Sequence, residues 1–427
     1  MKTFLSFLSL LFLAGSPQRE RVSTLTLENP LSIERLDEAI VFTREQLNPT
    51  GDLLPTIANR KGENIPCQLD DLDGDGRWDE LAFVYSFHPR EKIPLQILWV
   101  KKDSYPNFPR RTNIRFGKLN GKKVLVEMKS DFHTKDQVPG GVDYRGPYPY
   151  QMDGPAWEND KMGFRQYFDG RNSRDVFGKR IPDMVLDTVG ILPNGHPGDT
   201  YHVLHQWGRD IMSAANSFGL GGIALQTPDS LIRMGIPAGW KQDVVDSTRY
   251  TLITEGTARS ILRLDYYGWQ VSRAKIDISE EITIWAGKYG YENKVKATGL
   301  PFNSYLVTGI VANNNDKPFS EKKHDGKLLS MLTHDKQTYN KEYYMGMALI
   351  LPLDNVKETY HALEKNADIQ KTWCVKMNPD REGIYRYNVY ATWELADVKF
   401  KERDSFVNLI DYYAQCINNP IIIRLKP

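Results

Sequence analysis

Short runs in which apolar and polar residues alternate, each closed by Pro, Gly, Asn or Asp, recur along most of this 427-residue chain and point to antiparallel sheet. Early examples are Leu25-Thr26-Leu27, Ala39-Ile40-Val41-Phe42, Leu81-Ala82-Phe83-Val84-Tyr85 and the run 95–100. A repeat of two sends successive side chains to opposite faces, as in a half-buried strand between turns. These runs predict a small N-terminal β-sandwich over 17–110, with 101–111, which holds Pro106 and Pro109, as the connection onward. Further runs at 260–267, 274–278, 281–285, 343–351 and 385–393 predict a large antiparallel sandwich over 111–427. The expected fold class is all-β with few helices. An amphipathic stretch at 354–366 reads as helical, and so does 405–417, where Phe406, Leu409, Ile410, Tyr413 and Cys416 fall at helical spacing.

Met1-Lys2, an apolar run over 3–13 and the small residues Ala14-Gly15-Ser16 have the order of a secretory signal peptide, expected to span 1–16. Its apolar run is shorter than the roughly 20 residues a membrane-spanning helix needs. Ser16 stands where a lipoprotein signal would carry cysteine, so the expectation is ordinary cleavage and a periplasmic or secreted protein without membrane insertion. Lys and Arg total 55 against 54 for Asp and Glu, a balance that argues against nucleic acid as a partner. Cys67, Cys374 and Cys416 permit at most one disulfide and show no zinc spacing.

The sharpest local motif is Asp71-Leu72-Asp73-Gly74-Asp75-Gly76-Arg77-Trp78-Asp79. Carboxylates at alternate positions, a glycine for the turn and Asp79 at the ninth place supply the hard oxygen ligands of a structural calcium site. The twelfth position, Glu in the helix-flanked calcium loop, is Ala82. The competing reading is a solvated acidic hairpin turn. No organic cofactor is expected.

The stretch 131–222 differs, being rich in Gly, Pro, His, Trp, Asp and Arg with little periodicity, the composition of loops that line clefts. Asp153-Gly-Pro-Ala-Trp157-Glu158-Asn-Asp160 followed by Phe164-Arg165-Gln-Tyr167-Phe-Asp169 offers paired carboxylates, an arginine and an aromatic platform. If 164–169 is a strand, Arg165, Tyr167 and Asp169 share one face. His196, His202 and His205 precede Trp207-Gly208-Arg209-Asp210 and supply proton carriers near neutral pH. As a strand, His202 and His205 diverge; as a helix, they share a face. The glycine-rich run 218–222 reads as a tight backbone turn and not as a dinucleotide fingerprint. Nucleophile-elbow, P-loop and His-Glu-x-x-His motifs are absent from the sequence.

These runs, with Asp175-Val-Phe-Gly-Lys179, Trp207-Gly-Arg-Asp-Ile211 and Ser217-Phe-Gly-Leu-Gly-Gly-Ile-Ala224, resemble the domain of unknown function family 4861 over nearly the whole chain after the leader. That family is found largely in Bacteroidetes, beside polysaccharide lyases and unsaturated-glucuronyl hydrolases. The segments Thr254-Glu-Gly-Thr-Ala-Arg-Ser260, Tyr267-Gly-Trp269 and Ile282-Thr-Ile-Trp-Ala-Gly287 are similar to galactose-mutarotase-like supersandwich domains. The resemblance departs at Gln206, where an acidic residue is expected before Trp207-Gly208.

The resemblance implies a supersandwich behind the smaller sandwich and an enzyme acting on uronate-containing, pectin-like oligosaccharides by β-elimination or glycoside cleavage, with its active-site loops in 131–222. In that reading His202 or His205 carries the proton, Glu158 is the acid or base partner, and Tyr167 is an alternative base. Arg165 or Arg209 clamps the carboxylate, Trp157 and Trp207 stack on sugar, and Asp153, Asp169, Asp210 and His196 bind substrate. A sugar mutarotase or epimerase, and a non-catalytic carbohydrate-binding accessory protein, are the alternatives.

Overall fold

The computed structural model describes residues 23–426 apart from 50, 122–123, 316 and 363–367, so the expected leader over 1–16 lies outside the described residues. The early alternating runs form two small sheets. One has five strands in the order Ile422–Lys426, Ser23–Glu28, Lys92–Val100, Leu54–Ala58, Asn64–Ile65; the other has Arg35–Thr43, Glu80–Phe87 and Cys67–Asp70. Leu25, Leu27, Ile97 and Trp99 of the first sheet meet Ile40, Phe42, Leu81 and Phe83 of the second in one core. The chain's last strand returns to this sandwich, running antiparallel to Ser23–Glu28 from Thr24 opposite Lys426 to Glu28 opposite Ile422.

Behind it stands a nine-stranded antiparallel sheet whose central strands are Ser247–Thr254, Arg259–Val271, Ala274–Trp285, Gly290–Thr298, Ile384–Trp393 and Met345–Pro352. The runs at 274–278 and 281–285 join into one strand, and the sheet packs against two five-stranded sheets. The first of these holds Gly208–Asp210, Arg174–Lys179, Met162–Gln166, Ala156–Asn159 and Thr112–Arg115; the second holds Leu231–Arg233, Ala224–Gln226, Tyr305–Val311, Thr372–Met377 and Val356–His361. Trp157, Phe164, Val176, Leu306 and Ile310 bury against Leu262, Ile282, Tyr291 and Val389 in a single core.

The glycine-rich run seams the two five-stranded sheets together. Gly219 bridges to Arg174 and Leu220 bridges to Ile310. Gly219 has φ +76°, and a Cβ there would lie 1.8 Å from the Arg174 carbonyl oxygen, so only glycine lets the strands approach.

The C-terminal helix forms as expected, over Arg403–Asn418, burying Phe406, Ile410, Tyr413 and Cys416. It packs on the outer side of the nine-stranded sheet against Leu332, Ile350 and Tyr390. The expected helical stretch at 354–366 is a correction: Val356–His361 is an edge strand paired with Thr372–Met377. Its β-branched and aromatic residues gain ladder partners there that an isolated helix turn would lack. All three cysteines are buried and free. No helix among the described residues is long and apolar enough to cross a membrane.

Candidate functional site

The first five-stranded sheet positions the polar cluster that the sequence marks. Its inner face gives Trp157, Phe164 and Val176 to the core. Its outer face carries Arg165 and Asp175, opposite one another on adjacent strands. Residues from 185–207 fold over this outer face, with Leu186, Val189 and Tyr201 packing on Met152, Ala156 and Phe177.

Arg165 is the centre of that layer. Its side chain is 1% exposed, and its Nη2 donates to Asp175 at 2.7 Å and to Asp210 at 2.6 Å, while Nη1 lies 3.4 Å from Asp153. The rings of Tyr167 and Tyr201 flank the guanidinium at 4.4 and 4.9 Å from their centroids. Tyr167 donates its hydroxyl to Asp175 at 2.5 Å. Burial, with Asp175 alongside, pushes the Asp210 carboxyl up well above the usual carboxylate range.

Above this layer opens a cleft of about 350 Å³ lined by Tyr148, Tyr150, Asp153, Asp169, Arg171, Asp199 and Tyr201. Asp153 is its hub: Oδ1 accepts from Tyr148 at 2.7 Å, and Oδ2 lies 3.2 Å from Arg171 Nη2 and 3.3 Å from the Tyr201 hydroxyl. Arg171 Nη2 also reaches Asp169 at 2.5 Å, so one cation joins two carboxylates. The Arg171 guanidinium lies 3.6 Å from the centroid of Tyr167, which fixes its plane. Asp199, exposed, stands 3.1 Å from the same Tyr201 hydroxyl. The backbone beneath is strained, with Met152 at φ +51° and Asp153 at φ +64°. Left-handed non-glycine residues cost on the order of 1 kcal/mol or more each and persist where surrounding contacts over-determine them.

Of the residues singled out in the sequence, Asp153 and Asp169 line the cleft and His196 borders it beside Pro197. Several assignments are corrected. Trp157 is fully buried in the core and presents no face to a sugar. Glu158 is also fully buried, held by Lys179 at 2.5 Å and by the backbone amides of Val185 and Leu186 at 2.8 Å each, so it anchors the covering loop and reaches no substrate. Both terminal nitrogens of Arg165 are held by carboxylates, so it is no free clamp. Tyr167 is no base, because burial raises its phenol further and its proton is committed to Asp175. Asp210 lies under the surface at 5% exposure, without access to a ligand. Arg209 is buried and pairs with Glu342 at 3.2 Å.

His202 and His205 share neither a strand nor a helix face: His202 ends a 3-10 turn and His205 follows in a loop. His202 is half exposed, with Nδ1 3.7 Å from Asp210. His205 donates its Nε2–H to the Thr200 carbonyl at 2.7 Å and lies nearly parallel to the half-buried Trp207 ring at 6.3 Å. Trp207 also packs on Phe177.

In the acidic loop the side chains of Asp71, Asp73 and Asp79 converge, with ligand oxygens within 4.8 Å of one another. They fit a hard cation as three of its six to eight oxygen ligands. Asp75 turns away, bound by Arg77 Nη2 at 2.6 Å, and is corrected out of the ligand set because its charge is already matched.

The model of the domain of unknown function DUF4861 matches residues 27–423. The chain belongs to the DUF4861 family. A relative, Uncharacterized protein P7 of Formosa agariphila, is 19% identical over 437 residues, covering 97% of this chain and 96% of that protein. An alpha-mannosidase from Enterococcus faecalis V583 superposes with TM-score 0.48 at 8% identity, covering 96% of this chain and 46% of its own. A glycosyl hydrolase family 38 protein from Enterococcus faecalis gives 0.49 at 8% identity, covering 96% and 48%. This DUF4861 chain spans less than half the length of either solved structure.

The sequence reading left Tyr148, Tyr150, Asp199, Tyr201 and Arg171 without roles. Asp169-Gly170-Arg171, a turn that puts an arginine beside an aspartate, and the run from His196 through Asp199 and Tyr201 to Asp210 are the signals that bear on them.

Proposed function

We propose that this DUF4861 chain is a carbohydrate-active enzyme whose acidic, tyrosine-walled cleft cleaves a glycosidic bond. The observation that carries the reading is the Arg171 bridge between Asp153 and Asp169, with Asp199 joined to Asp153 through the Tyr201 hydroxyl. Glycoside cleavage needs one carboxyl to protonate the leaving oxygen and another to attack the sugar or activate water. Asp199, held by a single tyrosine hydroxyl, is placed to give and retake a proton. Asp153, oriented by Tyr148, Arg171 and Arg165, is placed to face developing positive charge on the sugar. Tyr148, 38% exposed, supplies a flat wall for the ring.

β-Elimination is less well served. It needs an uncommitted cation to neutralise the substrate carboxylate, yet Arg165 and Arg171 are already shared among Asp153, Asp169, Asp175 and Asp210. His202 over Asp210 is the one feature that favours a histidine proton carrier. The reading places the protein outside the cytoplasm after leader removal, with a structural calcium ion on Asp71, Asp73 and Asp79.

The test is incubation with pectic, glucuronan and neutral oligosaccharides, followed by chromatography and ultraviolet absorbance. The expected result is new reducing ends without new absorbance, and a loss of at least 100-fold in rate for Asp153→Asn and for Asp199→Asn. New absorbance at the unsaturated uronate band would replace hydrolysis by elimination. Binding without any product would leave only the accessory role.

A further inference from the structure

Of the nine tryptophans in the chain, eight are buried or half-buried. Trp240 is the exception, at 64% exposure. Its indole has no ring, cation or hydrogen-bond partner among the described residues. A single exposed apolar side chain is ordinary on a protein surface. What sets Trp240 apart is where its backbone is fastened.

Trp240 closes a tight turn, its amide donating to the Pro237 carbonyl at 3.0 Å. One end of that turn is tied to the loop that carries Asp169 and Arg171. The Ile236 amide donates to the Gly170 carbonyl at 2.7 Å, and a Cβ on Gly170 would lie 2.5 Å from Ile236 Cδ1, so only a bare backbone lets Ile236 seat there. The other end is tied to the loop that leads to Tyr148: the Val142 amide donates to the Lys241 carbonyl at 2.7 Å, and the Gly140 amide to the Asp169 carbonyl at 3.1 Å. The Ala238 amide adds a third tie, to Asp368 Oδ1 at 2.5 Å. The first and fourth Cα atoms of a turn lie within about 7 Å and neighbouring Cα atoms about 3.8 Å apart, so the Trp240 Cα stands within roughly 11 Å of that of Ile236. The exposed indole is therefore carried on a braced turn beside the two loops that supply Asp169, Arg171 and Tyr148 to the cleft.

The charges around the turn offer no surplus of either kind that would act as a clamp. Arg145 and Lys241 are met by Asp136, Asp143 and Asp368. The Gln242 side-chain amide lies 3.3 Å from both Asp136 and Asp143, and Arg145 donates to the carbonyls of Val142 and Tyr144 in its own loop. What this rim presents is a flat ring face, which packs on the apolar face of a sugar whether or not that sugar carries a carboxylate. We propose that Trp240 is a stacking platform for a sugar unit beyond those held in the cleft, so that it sets a preference for longer oligosaccharides. The inference rests on the reading of the cleft as a glycoside-cleaving site and adds the substrate length to it.

Disaccharides and hexasaccharides of galacturonan, glucuronan and xylan, added to the full chain, test the proposal. A hexasaccharide of at least one series should shield tryptophan fluorescence from acrylamide, and Trp240→Ala should abolish that shielding. Trp240→Ala should raise KM about tenfold for that hexasaccharide and less than about twofold for the disaccharide, while Trp240→Phe, which keeps a flat ring, should recover most of the loss. Both variants should melt with the wild type, because the indole lies outside the core. No shielding by any hexasaccharide, or a KM change in Trp240→Ala that is equal for the two lengths, overturns the platform. Asp153→Asn separates the two readings: it should remove turnover and keep the shielding. Shielding without turnover in the wild type defeats the cleft reading alone, and turnover that Trp240→Ala leaves unaltered at both lengths defeats the platform alone.

Discussion

Removing Glu158 should destabilise the protein without touching its chemistry, although Glu158 has the residue type and neighbourhood of a catalytic acid. Its carboxylate and the Lys179 ammonium lie 2.5 Å apart with side chains 0% and 1% exposed. Breaking a buried pair by deleting one partner costs about 3–5 kcal/mol, because the other charge remains without compensation. Glu158→Ala also strips the Val185 and Leu186 amides and the Asn113 side-chain amide of their acceptor. The upper half of that range, about 4–5 kcal/mol, is therefore expected. With an unfolding entropy of about 2.1 cal/mol/K per residue, a cooperative unit of about 300 residues would lose roughly 6–8 °C in Tm. Calorimetric scans of Glu158→Ala, Lys179→Met and the double variant measure the coupling directly. The double variant should lie well above the sum of the singles, by about 2 kcal/mol or more. Rate per folded molecule, read well below Tm, should stay within about twofold of wild type. A Glu158→Gln variant that keeps its Tm but loses turnover would refute this account and restore Glu158 to the chemistry.

Three further outcomes follow from the geometry. Gly219→Ala should cost several kcal/mol, on the order of 3 or more, because a methyl cannot fit 1.8 Å from the Arg174 carbonyl at a positive φ; a Tm unchanged in scanning calorimetry would contradict the seam. Calcium should raise Tm, an effect lost in Asp71→Ala and Asp79→Ala and kept in Asp75→Ala; thermal scans in chelator and in millimolar calcium decide it. Asp243 is buried, which pushes its carboxyl up to about 7, so its contribution to stability is complete below the ordinary carboxylate range near 4 and is lost as pH rises through 7. Urea unfolding from pH 4 to 8 should show that decline, and Asp243→Asn, which keeps the acceptor for the Val245 amide, should flatten it.

The sheets of the two sandwiches were legible wherever one face is wet or the run is long, as at Lys92–Val100 and Ile384–Trp393. The first five-stranded sheet was not. Met162–Gln166 and Arg174–Lys179 are buried on both faces, yet they carry Arg165, Arg174, Asp175 and Lys179. Charges hidden by mutual pairing look polar in sequence, so a strand with no wet side reads as a loop. The same pairing misdirected the choice of site residues. Arg174, 1% exposed and bound to Glu280, shows that a buried arginine here reports structure and not ligand binding.

The distinction that the sequence could not draw is between charge already matched inside the protein and charge left over at its surface. Arg165 satisfies Asp175 and Asp210 from below and approaches Asp153 from behind, so its energy is spent on holding the cleft floor and on keeping Asp153 in a left-handed backbone. Rigid support of that kind is what a catalytic carboxylate needs if it is to meet a sugar without reorganising. Arg171 then differs from Arg165 in one respect that matters: 45% of its side chain is exposed, so the link between Asp153 and Asp169 opens to the cleft and not to the core. A residue list ordered by chemical type ranks the two arginines alike. Ordered by what each still has to offer a ligand, Arg171, Asp153, Asp169 and Asp199 form the proposed site, and Arg165 with Glu158 forms the frame beneath it.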